Sequence, residues 1–94
     1  MRKIEKEMLN AVRNGFNMSK QNTVVSHCDG VTRVYLHGNL IYKRAKGIET
    51  FSLAGWNSVT TRSRLNALGV GVYQRNFEPF YKGVNILSCG WYNV

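Results

Sequence analysis

Carboxylates are scarce in this chain: Asp and Glu together number 5 among 94 residues. Hydrolytic and phosphoryl-transfer centres need a nucleophile with a base, or clustered acids for metal. Glu5, Glu7, Asp29, Glu49 and Glu78 are instead scattered, which argues against an enzyme and against a metal or other cofactor. Cysteine is equally sparse. Cys28 and Cys89 lie far apart, which excludes a small disulfide scaffold and the CxxC-type cluster of a zinc site. Two reduced thiols are expected, with Cys28 as a small buried one. No apolar run approaches the ~18 residues of a membrane span, and the opening Met1-Arg2-Lys3-Ile4-Glu5 lacks the apolar stretch of a signal peptide. A cytoplasmic protein without membrane contact is expected. Glycine-rich phosphate loops, internal repeats and low-complexity tracts are also missing.

What the chain does have is positive charge. Lys and Arg number 13, for a formal net charge of +8. Such a surplus attracts polyanions through long-range fields and counterion release, which makes nucleic acid, DNA or RNA, the default partner. Idle surface charge for solubility, or an acidic protein partner, is the plainer alternative. Hydrophobic residues make up 44% and aromatics 12%, the composition of a folded protein. A chain of this length forms one domain, residues 1–94.

The fold class expected is α+β. Residues 2–16 read as a helix whose Ile4, Met8, Leu9, Ala11, Val12 and Phe16 share one broad arc, with Arg2, Lys6 and Arg13 as a basic stripe beside it. Such a stripe is usually a solvated face. Residues 17–22 form a polar loop. Residues 23–27, 31–37, 40–45 and 48–53 read as strands of an antiparallel meander, with turns at Asp29-Gly30, Gly38-Asn39 and Lys46-Gly47. Tight turns would set Leu36 opposite Ile41, Tyr35 opposite Tyr42, Arg33 opposite Arg44, Tyr42 opposite Phe51 and Arg44 opposite Glu49. One face then collects Arg33, Tyr35, His37, Leu40, Tyr42, Arg44, Phe51 and Leu53. Aromatics and arginines so interleaved can stack bases and hold phosphates. The competing reading makes the aromatics the floor on which the helix packs, with Arg33 and Arg44 at its rim.

Beyond Trp56 a short second helix is expected near residues 60–68, capped by Ser58 or Thr60, with Leu65 and Leu68 inward and Gly69 as terminator. Residues 70–75 read as a strand, residues 80–87 as a C-terminal β-hairpin about Lys82-Gly83, and residues 88–94 as an aromatic tail.

Three constellations bear on chemistry. His27-Cys28-Asp29 combines reactive groups, but alternation in an extended chain points Cys28 away from its neighbours. His27 and His37 would have to lie close together to act as the acid-base pair of a metal-independent ribonuclease. Residues 60–66 are of a different kind: a helix start with free N–H groups, three hydroxyls and Arg62 and Arg64 suits an anion. Arg62 and Asn66 share a face, and Arg64 projects from another. Capping hydroxyls and arginines that close the sheet are the competing reading.

Leu36-His37-Gly38-Asn39-Leu40-Ile41, Leu53-Ala54-Gly55-Trp56 and Thr60-Thr61-Arg62-Ser63-Arg64-Leu65-Asn66-Ala67-Leu68 together resemble small accessory proteins of tailed, especially short-tailed, bacteriophages. The resemblance covers roughly residues 8–74 and carries over no catalytic residue. It implies a product made inside an infected bacterium that binds phage nucleic acid, or a host polymerase, nuclease or defence complex. The expected activity is therefore non-enzymatic binding of nucleic acid, or of a host complex bearing it, through Arg62, Arg64, Asn66, Arg33, Arg44, Lys6 and Arg13, with Trp56 beside them. The alternative is an inhibitor that docks on a host protein through Trp56, Tyr73, Phe77, Phe80 and Trp91. An unpaired meander edge would allow a homodimer.

Overall fold

Apolar spacing along the first residues produces the first element. In the computed structural model, which describes residues 2–94, helix α1 spans Lys3–Asn14. Ile4, Met8, Ala11 and Val12 are buried along one side, the arc their spacing predicts. The Arg2 backbone N–H donates to Glu5 Oε1 at 3.3 Å and holds the first turn. Gly15 takes a φ of 75° and returns its N–H to the Ala11 carbonyl, ending the helix. Phe16, expected on the core arc, lies past that reversal and is 56% exposed.

Strands β1 (Met18–Lys20), β2 (Thr23–Cys28), β3 (Val31–Leu36), β4 (Asn39–Ala45) and β5 (Ile48–Phe51) follow as an antiparallel meander. Helix α2 spans Val59–Ala67. Strands β6 (Tyr73–Arg75), β7 (Glu78–Tyr81) and β8 (Val84–Asn85) make a separate small sheet, and β9 (Tyr92–Asn93) pairs with β5. The large sheet therefore runs β1-β2-β3-β4-β5-β9. The architecture is α+β. β1 lies in the expected polar loop and β9 in the expected aromatic tail.

Hairpins turn at Asp29-Gly30, His37-Gly38, Lys46-Gly47 and Lys82-Gly83, with both residues of each pair at positive φ. This is the turn whose twist matches the flanking strands, and glycine fits its second position best. That preference corrects the expected β3–β4 register. The turn is His37-Gly38, not Gly38-Asn39, and Leu36 pairs with Asn39.

A one-residue slip turns a strand over. Thr32, Val34 and Leu36 are buried, while Arg33 and Tyr35, which pair with Lys43 and Leu40, take the opposite face. An irregularity at Val34/Tyr35 leaves Ile41 as an extra residue on β4. Beyond it Tyr42 opposes Phe51 and Arg44 opposes Glu49, as expected. The single face expected from the sequence is thus split. Tyr42, Arg44 and Phe51 point inward, Arg33, Tyr35 and Leu40 outward, and His37 sits in the turn.

The core lies on the inward side. Met8 and Val12 of α1 and Leu65 of α2 meet Val25, Val34, Leu36, Ile41, Tyr42 and Phe51 of the sheet, with Val72, Tyr81 and Ile86 closing the β5 end. Phe51 meets the Tyr81 ring edge-on at 4.8 Å. Both helices and the small sheet therefore cover one face of the large sheet. Among the described residues the other face has no layer upon it: Val24, Ser26, Val31, Arg33, Tyr35, Leu40, Lys43, Ala45 and Thr50 are half-buried or exposed.

Candidate functional site

Helix α2 starts at Ser58, whose Oγ accepts the Thr61 N–H at 3.1 Å. Thr61, Arg64 and Leu65 recur at helical spacing and face inward. Arg64 is accordingly 2% exposed. Its Nη1 lies 2.8 Å from Glu5 Oε2, its Nε donates to Thr23 Oγ1 at 3.1 Å, and its Nη2 donates to Asn22 Oδ1 at 3.3 Å. Ser63 Oγ donates to the same Glu5 oxygen. Burial alone would raise the Glu5 carboxyl. Donors from Ser63, Arg64 and the Arg2 backbone, with the Arg64 charge, outweigh it and hold the group below its ordinary value. Arg64 is an internal clamp joining α1, α2 and β2, so the expectation that it meets a partner is corrected.

Three other expected contacts are also occupied internally. Arg62 Nη1 donates to the Asn57 carbonyl at 3.2 Å, to Asn57 Oδ1, and to Gln74 Oε1 at 3.1 Å, fixing the loop before α2 to β6. Asn66 donates to the Val72 carbonyl at 2.8 Å and accepts from the Gly71 and Val72 N–H groups, closing the loop after α2. Arg44 Nη2 donates to the Val12 carbonyl at 3.3 Å in the last turn of α1. Next to it, the Tyr42 hydroxyl donates to Glu49 Oε2 at 2.6 Å. Burial, then this carboxylate, hold the phenol far above its usual range. Lys6 and Arg13 are exposed on α1, on the side of the molecule away from the open sheet face.

His27 and His37 are not brought together. His27 faces inward, where its Nε2 donates to the Ala11 carbonyl at 3.0 Å and its Nδ1 accepts from Thr32 Oγ1 at 3.0 Å. His37 sits in a turn beside Asn22, about five strand residues or ~16 Å from His27. Cys28, expected to be buried, is exposed because β2 ends with it on the uncovered face; Cys89 is also free and exposed. Among the described residues no group of three or more His, Cys, Asp or Glu is placed to hold a metal ion. No described helix is long and apolar enough to cross a membrane.

The open face brings together residues that the sequence reading had divided or passed over. Ser26, Arg33, Lys43 and Thr50 form one transverse row, with Arg33 directly opposite Lys43. Val24, Tyr35 and Leu40 form the next. All five carboxylates lie elsewhere. Glu5 is internal, Glu7 pairs with Lys20 at 2.9 Å, Asp29 is in a turn, Glu49 faces inward, and Glu78 accepts from Asn85 at 2.8 Å. Lys43 is absent from the expected binding contacts because its pairing with Arg33 depends on the register. Glycine suits either position of a two-residue turn, so the stretch His37-Gly38-Asn39 carried no local signal that separates the two registers.

A cleft of ≈ 510 Å³ opens at the turn end of this sheet. Leu36, Ile41 and Leu53 form its apolar floor, and Trp56, His37, Asn39 and Thr60 stand around it. Trp56, 65% exposed, is presented by a corner in which Ala54 takes a φ of 54°. Bonds from Ala54 N–H to Ser52 Oγ, from Gly55 N–H to the Ser88 carbonyl and from Trp56 N–H to the Leu53 carbonyl hold that corner. The small sheet carries further aromatics outward: Tyr73 stacks on Phe80 at 5.7 Å, and Phe77 at the hairpin tip is 90% exposed.

No curated protein and no solved structure matches the chain. A family model described as Kyanoviridae Gp96 protein matches residues 1–93. Its span takes in the helix clamp, the open sheet face and the cleft, and it accords with the phage character implied by the three sequence segments. The chain belongs to the Kyanoviridae Gp96 family of bacteriophage proteins.

Proposed function

We propose that this protein is a non-enzymatic accessory factor that binds nucleic acid inside the infected bacterium, on the open face of its large sheet. The observation that carries the reading is the Arg33–Lys43 pair. Like charges directly opposite one another on a sheet are destabilising. Here they occupy adjacent central strands with no carboxylate on the same face to relieve them. A phosphate supplies that relief, and the neighbouring Tyr35 and Ser26 offer a stacking surface and a hydroxyl donor. This reading keeps Arg33 from the expected contact set, adds Lys43 and Tyr35, and gives Arg62, Arg64, Asn66 and Arg44 structural roles.

Affinity for nucleic acid should fall with salt, by about 0.7 log units per log unit for each single-strand phosphate contacted and about 0.9 for duplex. The Arg33→Gln, Lys43→Gln double variant should weaken binding and lower that slope by about two contacts' worth. Salt-independent binding, or a slope unchanged in the double variant, removes this face as the binding surface.

One observation favours a second reading, docking on a host protein. The β6–β7 turn is Asn76-Phe77, with Phe77 at a φ of 66° where the other two-residue turns named above hold glycine. A bulky side chain in that conformation is strained and, at this tip, wholly available as an anchor. A host protein retained stoichiometrically after nuclease treatment, and lost with Phe77→Gly, would support docking over nucleic-acid binding.

A further inference from the structure

The cleft beneath Trp56 is not explained by the charge of the sheet face. It is assembled from the three segments singled out in the sequence: Leu36, His37, Asn39 and Ile41 from the first, Leu53 and Trp56 from the second, and Thr60 from the third. Its volume lies within the range of small-ligand sites, and its make-up is typical of them, an apolar floor with a few polar groups around it. Lysine, arginine and carboxylate are absent from its lining, so the group that enters is neutral. Trp56 supplies an aromatic wall held by the strained Ala54 corner, which suits a planar occupant. Among the described residues no hydrogen bond engages the Thr60 hydroxyl, and Asn39 uses only its Nδ2, toward the His37 carbonyl at 3.5 Å. Polar capacity is therefore left at the rim for the edge of a heterocycle.

Position narrows the occupant further. The cleft lies at the His37-Gly38 end of β3 and β4, where the open face also ends. From the Arg33–Lys43 row to this turn is about four strand residues, or ~13 Å. A flexible polyanion anchored on the cations can therefore round the sheet end and reach the cleft, whereas a duplex keeps its bases stacked and paired. We infer that the cleft receives an unpaired nucleobase of the strand held on the sheet face, which makes the protein selective for single-stranded nucleic acid. The inference rests on the nucleic-acid reading above for its ligand. Trp56 and the apolar floor provide sequence-tolerant stacking, and Asn39 and Thr60 provide preference among bases.

The test uses two probes, free nucleosides and a short single-stranded oligonucleotide, on the full chain by NMR. Both should shift the Trp56 indole N–H and the amides of His37, Gly38 and Asn39, leaving the Trp91 indole in place. Trp56→Ala should weaken single-strand affinity about tenfold or more and leave the salt slope unchanged, since no phosphate contact is lost. Trp56 is largely exposed, so this variant keeps the fold; Asn39→Ala, exposed at the start of β4, should alter preference among the four nucleosides. Arg33→Gln, Lys43→Gln should leave the nucleoside shifts as they were. Strand binding without a Trp56 shift and unaffected by Trp56→Ala overturns the cleft assignment while the sheet-face reading stands. Nucleoside shifts without any strand binding overturn the sheet-face reading and leave the base site in place. Silence of both probes overturns both.

Discussion

Arg64 and Phe77 occupy opposite extremes of exposure, 2% and 90%. Arg64 follows Thr61 by three positions and precedes Leu65 and Leu68, so helical spacing alone puts it on the inward arc; its charge argued for solvent. Glu5 resolves the conflict, because it lies on the α1 arc with Met8 and Val12 and supplies the counter-charge. Removing one partner of a buried pair leaves an uncompensated charge, so Arg64→Ala should destabilise by about 3–5 kcal/mol, whereas replacing both partners with apolar residues of similar volume should recover most of that in urea unfolding. The Glu5 carboxyl is held below its ordinary value of 4.5. Between the two values the unfolded chain binds more protons, so this stabilisation is fully present above the ordinary value and lost as pH falls through the folded one. Urea midpoints measured on acidification should show that loss, and Glu5→Gln should lack it. Phe77 is the reverse case. Phe77→Gly should raise stability by about 1 kcal/mol by relieving a left-handed conformation, readable as a higher urea midpoint at unchanged slope.

At the scale of elements, hairpins written as X-Gly were legible, and the register between β3 and β4 was not. The Lys46-Gly47 turn placed Tyr42 opposite Phe51, as the sequence implied. Gly38 admitted two turns whose twist suits the flanking strands, glycine first or glycine second, and the chain takes the one with glycine second. β1 and β9 escaped notice because strands of three and two residues have no period of their own; they are ordered by the edges of β2 and β5. Both edges of the large sheet are consequently short, which limits pairing with another chain. Helix α2 depends on its ends rather than on an amphipathic arc. Ser58→Ala should therefore cost about 1 kcal/mol, a loss measurable as a lower midpoint in chemical unfolding, while Thr60→Ala, at a position that makes no cap, should leave it nearly unchanged.

The molecule as a whole, 36 × 27 × 20 Å, is layered so that its cations divide between two sides. Lys6 and Arg13 ride on α1, and Arg33 and Lys43 lie on the bare face of the sheet. The two pairs therefore do not hold the same phosphates. Lys6→Gln, Arg13→Gln should thus leave the salt slope for nucleic acid within error of the parent, against the reduction expected for Arg33→Gln, Lys43→Gln. By itself the sequence determined the fold class, the apolar arc of α1, the places of most hairpins and the excess of positive charge, because each of these is local or additive along the chain. Tertiary structure alone decided which face of β3 is buried, which arginine is internal, and that three separated segments enclose a cleft under Trp56. The first depends on the register set by a single turn, where a one-residue slip exchanges the two faces, and the others on the meeting of residues as distant as Glu5 and Arg64.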